Sequence, residues 1–395
     1  MRATAKAVLG FFAACFALAA MAEDATVERV TVRQRWPWSR LADIDYVLSS
    51  DPTQCMDVAV AAYNGSVPLP LPPESLSGDL YNVTEGARRI VLDPAKTAYT
   101  NTEVLTRFRV ELALTPAPLY MIVDLATGLT SAERIQYVYE DALRAGAWGS
   151  VATNPVAGVE SIIWTGLTNN PAYKNDKLVL RRIHRGSLIG GTVVDHEFYM
   201  GVFELTQGQR LRIMGNYNSA SYYTGTGRDV HPEERISYNT LRGATNDTPS
   251  VNWPSTGTRV STNSLLGVLA GRTGLAFDLP TSVQWEYACR AGTVTSYNSG
   301  SDSDAALGEL GWYSGNSTNT KEVGLLKPNA WGLYDMHGNV EELCLDWFNA
   351  AETQRVRRNG SWQKAATYCV STYQTGVSPT ATGGTYGLRL ALVVQ

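Results

Sequence analysis

The stretch Lys327-Pro-Asn-Ala-Trp-Gly-Leu-Tyr-Asp-Met-His-Gly-Asn-Val-Glu-Glu342 decides how the chain is read. Two short motifs follow it, Asn359-Gly-Ser-Trp362 and Tyr386-Gly-Leu-Arg389, and Leu279-Pro-Thr-Ser-Val-Gln-Trp-Glu-Tyr-Ala288 precedes it. Further upstream, Phe198-Tyr-Met-Gly-Val-Phe-Glu-Leu-Thr-Gln-Gly-Gln209 reads as a strand running into a helix. Thr206 stands at the N-cap, with Gln209 three residues on in capping-box spacing.

In this order the segments resemble the formylglycine-generating enzyme, or sulfatase-modifying factor, family over residues 176–395. Pro232 to Asn239 is similar to a further family segment, with Tyr238 at a Trp position. The resemblance implies a large irregular α+β fold related to C-type lectins and often tied together by calcium.

It also implies where chemistry would sit. In active members two cysteines bind one Cu(I), a soft ion that prefers thiolates. Aligned on Gly360-Ser-Trp362, the second cysteine falls on Cys369 and the first on Lys364. An ammonium cannot replace a thiolate, so copper is not expected. Two readings of Cys369 stay open: a thiolate activated by Lys364, or a small buried apolar residue. Ser361 matches a serine lining the family's substrate groove, although no His or acid at a fixed spacing would activate it.

The resemblance further implies structural calcium at Asp335, Gly338, Val340 and Glu342, a set of carboxylate and carbonyl donors suited to that ion. The alternative is a plain tight turn capped by Asp335. Other details depart from the family: Glu341-Glu342-Leu343 replaces Trp-Glu-Trp, Asp278 and Ser282 replace an Arg and a Glu, and Asn359 replaces a common Gly. His337 stands where the family commonly has His, which implies a structural role. No histidine precedes His184, which argues against the iron-dependent sulfoxide synthases of this fold.

The front of the chain is read from pattern alone. Arg2 and Lys6 precede the apolar run Val8 to Ala20, and Ala20-Met-Ala22 suits signal peptidase, so residues 1–22 read as an export signal. The expected location is periplasmic or extracellular, with no transmembrane segment in the mature chain. Loss of the two basic residues takes the formal net charge from −4 to −6, which gives no footprint for nucleic acid.

Residues 24–126 read as an immunoglobulin-like β-sandwich. Ile44, Tyr46 and Leu48 alternate with polar neighbours, as do Met56, Val58 and Val60, and Phe108, Val110, Leu112 and Leu114. Residues 127–175 read as a connector, with a short helix or strand edge at Ser131 to Leu143 and mostly loop from Gly146 to Tyr173. Four cysteines remain after the signal, and Cys344 with Cys369 is the first pair to suspect of a disulfide, against separate buried thiols.

The functional expectation is an exported scaffold without oxidase activity. It would bind a protein or peptide in a groove near Trp362, Tyr368 and Tyr373. A sulfatase-maturing copper oxidase and a lectin-like ligand-displaying protein are the alternatives.

Overall fold

The computed structural model describes residues 25–393 except 36–38, 51–53, 73–74, 99–104, 106, 157–158, 189, 195 and 244–259. The expected export signal lies outside the described residues. The chain divides into two compact units between Ala117 and Pro118.

The first unit is the expected two-sheet sandwich. Strands β1 (Thr26–Gln34), β2 (Ala42–Ser49), β6 (Gly86–Leu92) and β5 (Leu76–Gly78) form one sheet in that order. β4 (Val67–Leu69), β3 (Met56–Asn64) and β7 (Phe108–Pro116) form the other. All neighbours are antiparallel, and β3 pairs with β7 from Met56 opposite Pro116 to Asn64 opposite Phe108. Alternation turns Ile44, Tyr46 and Leu48 inward against Met56, Val58, Ile90 and Leu92. Each such side chain contributes roughly 1.5–3 kcal/mol on burial. Val60, Val110, Leu112 and Leu114 pack against this core only partly buried.

The sandwich ends earlier than the sequence suggested. Tyr120–Asp124 (β8) belongs to the second unit, in a five-stranded antiparallel sheet ordered β20-β15-β12-β8-β9. Its other members are β9 (Ile135–Val138), β12 (Lys177–Ile183), β15 (Phe198–Gly201) and β20 (Ala391–Val393). Residues 127–175 are therefore not a connector. They carry α1 (Ser131–Arg134), β9, α2 (Glu140–Arg144), the hairpin β10 (Val151–Val156) and β11 (Val159–Trp164), and α3 (Ala172–Asn175). Their Gly- and Asn-rich composition reads as loop because the hairpin's strands lack apolar alternation. Trp164 nevertheless packs edge-on against Tyr120, Trp148 and Tyr173.

A small hairpin, β13 (Gly186–Ser187) with β14 (Val193–Val194), precedes β15. The helices that follow are short: α4 (Gln207–Met214), α5 (Tyr238–Arg242), α6 (Leu265–Thr273), α7 (Ser282–Arg290) and α8 (Asp304–Leu307). Thr206 caps α4 in the expected box with Gln209, and Thr281 caps α7 in the same way with Gln284. The final sheet, β18-β17-β16-β19, joins Gln374–Val377 (β18), Arg355–Arg358 (β17), Glu341–Trp347 (β16) and Tyr386–Gly387 (β19). Trp285 of α7 and Leu343 and Leu345 of β16 share one large core with β12, β15 and β20. Among the described residues no helix is long and apolar enough to cross a membrane.

Candidate functional site

The deciding stretch forms an irregular turn leading into β16, held by polar groups at its centre. Asp335 and Asn339 take positive φ values of 58° and 59°, which Asp and Asn tolerate better than most residues. Gly338 is required as glycine: its φ is 112°, and a Cβ there would lie 2.2 Å from the Trp312 carbonyl oxygen.

Arg389 ties this turn to the end of β15. Its Nη2 donates to Glu342 Oε1 at 2.8 Å and to the Tyr334 carbonyl at 2.8 Å, while Nη1 donates to the carbonyls of Gly201 and Val202. Trp285 Nε1 donates to Glu342 Oε2 at 2.6 Å, so both carboxylate oxygens of Glu342 are taken. Glu204 is buried beside them and receives Asn339 Nδ2 and Val340 N. Burial pushes its carboxyl well above the usual range, helped by the nearby charges of Asp335 and Glu342. Asp335 is pushed up to about 6, chiefly by burial.

The expected calcium donors do not form an open set. The carbonyl oxygens of Asp335, Gly338 and Val340 converge at 3.0, 2.7 and 3.2 Å on one side-chain nitrogen, Asn359 Nδ2. Asp335 Oδ2 accepts from Gly324 N at 2.7 Å, and Glu342 faces Arg389. Calcium takes six to eight oxygens at about 2.3–2.6 Å, and here most expected donors are already used. The residues present fit the ion poorly.

At the copper position Lys364 and Cys369 have different surroundings. Lys364 donates its backbone N–H to Ser361 O and accepts from Ser314 N, and its Nζ lies 5.4 Å from the Tyr368 ring centroid. Cys369 is fully buried, and a Cβ added to Gly360 would sit 2.4 Å from its sulfur. Burial pushes its thiol up to about 12, far outweighing the opposing charge of Lys364. These surroundings favour the reading of Cys369 as a small buried apolar group over that of an activated thiolate. All four described cysteines are free, so the suspected Cys344–Cys369 disulfide is absent. Cys344 sits in the large core, and Cys369 packs with Tyr297, Leu307, Leu310 and Ala366.

Ser361 is buried too, and its hydroxyl has no partner among the described residues. His337 bridges two segments: Nδ1 lies 2.7 Å from the Cys369 carbonyl and Nε2 accepts from Asn298 N at 3.1 Å. That pattern makes Nδ1 the protonated nitrogen of a neutral ring, and burial lowers its pKa to about 4.

The predicted groove residues form two aromatic pairs. Tyr368 and Tyr373 meet edge to face at 5.2 Å, with Tyr368 43% exposed. Trp362 is nearly buried beneath Tyr222, stacked at 5.5 Å, and donates Nε1 to the Gly384 carbonyl. Tyr222 is 50% exposed. It was missed in the sequence because it lies 140 positions before Trp362 in a Gly- and Ser-rich stretch without periodicity.

Also missed was the partner of Glu341, at a family tryptophan position. Glu341 Oε2 accepts from Arg357 Nη1 at 2.6 Å, and Arg357 stacks over the Tyr386 ring at 4.0 Å. Two apparent losses are compensated elsewhere. Asp278 is held bidentately by Arg242 at 2.8 and 2.9 Å, and Ser282 Oγ accepts from Arg358.

Residues 191–394 match the sulfatase-modifying factor enzyme 1-like domain. Chaperone protein LppX of Paenibacillus barcinonensis is 24% identical over 283 residues, 60% of this chain and 95% of that protein. Serine/threonine-protein kinase pkn1 of Chlamydia caviae is 30% identical over 135 residues, 30% of this chain but only 21% of the kinase. Among solved structures, Treponema denticola variable protein 1 aligns with a TM-score of 0.44 and 22% identity, over 62% of this chain and 99% of that one. PvdO from Pseudomonas aeruginosa aligns with a TM-score of 0.41 and 18% identity, over 55% and 94%.

Proposed function

The chain belongs to the sulfatase-modifying factor enzyme 1-like family, and on that premise we propose that it uses the fold as an exported binding scaffold and not as a copper oxidase. One observation carries the reading: Lys364 stands in place of the first copper cysteine, while the Cys369 thiol is buried against Gly360 with its pKa pushed up to about 12. A Cu(I) site needs two accessible thiolates or equally soft partners, and this pair offers one closed thiol and one ammonium.

The surface that remains is aromatic. Tyr222 and Tyr368 expose large, rigid rings above Trp362 and Tyr373. Such rings give contact area at low entropic cost, and a protein or peptide is the ligand class they suit. The N-terminal sandwich then serves as an adhesion or spacer module, and export rests on the leader-like residues 1–22.

The test is mass spectrometry of a Cys-x-Pro-x-Arg peptide incubated with the purified protein, Cu(I) and oxygen, beside an active family member. No aldehyde is expected, and the intact mass is expected to start at Glu23. Aldehyde formation that disappears in Cys369→Ser would replace this reading with sulfatase maturation.

A further inference from the structure

We propose that the side-chain amide of Asn359 takes the place of a cation in the turn 335–342, so that this turn is held without calcium. The inference is independent of whether the protein binds a ligand or oxidises one.

Three backbone carbonyls that point at one spot repel each other unless something positive sits between them. A calcium ion is one solution; an N–H donor is another. Asn359 Nδ2 lies within 3.2 Å of all three oxygens, those of Asp335, Gly338 and Val340. The other end of the same amide is also used. Oδ1 accepts from Gly338 N and, at 2.8 Å, from Gly360 N. One side chain thus meets five backbone groups, both its donors and its acceptor engaged.

The backbone makes this possible. Asn359 adopts φ 67° at the end of β17, a left-handed conformation that Asn accepts at modest cost. A glycine would adopt that conformation as readily but would leave the space between the carbonyls empty. The acids that would complete a cation site are committed elsewhere. Glu342 is saturated by Arg389 and Trp285, and Asp335 keeps one oxygen on Gly324 N and one without a partner among the described residues. A cation and Nδ2 cannot occupy the same point. Because Oδ1 also fixes Gly360 N, the amide holds the start of the Ser361–Cys369 segment as well as the turn.

The experiment uses the full mature protein. Its metal content is measured after purification, and thermal melts are recorded with excess calcium and with EGTA. The expected result is no stoichiometric calcium and melts that coincide. Asn359→Gly is expected to melt about 4–10 °C lower, from orphaned buried carbonyls and amides. Near one calcium per chain, with a melt that falls in EGTA and recovers with calcium, would overturn the proposal. So would an Asn359→Gly variant as stable as the wild type. If that variant does not fold, the wild-type metal content and paired melts decide the question alone.

Discussion

The two units solve the problem of a stable interior in different ways. The sandwich centre is apolar: Ile44, Ile90, Met56 and Val58 interlock, and its buried acid, Asp43, sits on the outer side of β2 under Arg35 and Arg33. The second unit adds to its apolar core a buried polar cluster around the 335–342 turn. Arg389, Glu342, Glu204, Asp335, Asn339 and Asn359 are all buried around one turn, each satisfied mainly by backbone groups or by another member. A sheet hides its backbone polar groups in ladders. An irregular turn cannot, so side chains must do it. The difference implies that a single substitution in the buried polar cluster of the second unit should cost more than a single methyl trimmed from the sandwich core.

That contrast can be broken by two substitutions. Arg389→Met removes the guanidinium partner of buried Glu342 and strips three carbonyls of donors, an expected cost of about 3–5 kcal/mol. Ile90→Val in the sandwich core should cost about 1 kcal/mol. Chemical denaturation gives the magnitudes, and hydrogen exchange shows which unit opens. Equal costs, or exchange rising in the sandwich when Arg389 is changed, would defeat the comparison.

The same contrast explains what was legible in the sequence. Period-two alternation exposed the sandwich because one face of each strand meets an apolar core. It could not mark where the unit ends, since Tyr120–Asp124 is a short continuous apolar run, strand-like in itself, and only its pairing with β12 assigns it to the second unit. Motif order exposed the second unit's fold, and Thr206 with Gln209 was readable as a cap because that interaction is local. Long-range polar pairings were not. Nothing near Asn359 shows that its amide reaches carbonyls about 20 positions earlier, and nothing near Glu341 shows Arg357. Glu233 and Glu234 are buried as well, and their burial depends on contacts made through the tertiary fold.

Glu233 gives the next test. Burial pushes its carboxyl up to about 8, against the opposing charge of Arg210 and a hydrogen bond from Asn218. A carboxyl raised in the folded state is protonated there while the unfolded chain is ionised. Its contribution is therefore complete below about pH 4.5 and is lost as pH rises toward 8. Between pH 5 and 8 this amounts to roughly 2–4 kcal/mol. Glu233→Gln, a neutral mimic, should flatten the decline. His231 and His337, both lowered to about 4, act with opposite sign by losing stability as pH falls below 6.5. The informative quantity is thus the wild-type minus variant difference at each pH. A difference that stays constant from pH 5 to 8 would show that Glu233 is not the titrating group.

The smallest effect sharpens the comparison within the second unit, between two capping boxes that both start from a Thr, one closed by Gln209 and the other by Glu133. Thr206 is buried. Its hydroxyl accepts from Gln209 N at 3.1 Å and donates to the Lys174 carbonyl, and Gln209 Nε2 continues to the Lys177 carbonyl. Thr130 makes the same box with Glu133 at the start of α1, but in solvent. Water can replace the lost hydroxyl at Thr130 and cannot at Thr206. Thr206→Ala should therefore cost about 1–2 kcal/mol and Thr130→Ala about 0.5 kcal/mol. The ratio matters more than either value, because Thr206 also ties α4 to α3, in a segment the sequence presented as a connector. If the two caps prove equal, the link between α3 and α4 carries no load and residues 127–175 lie more loosely on the unit than their hydrogen bonds suggest.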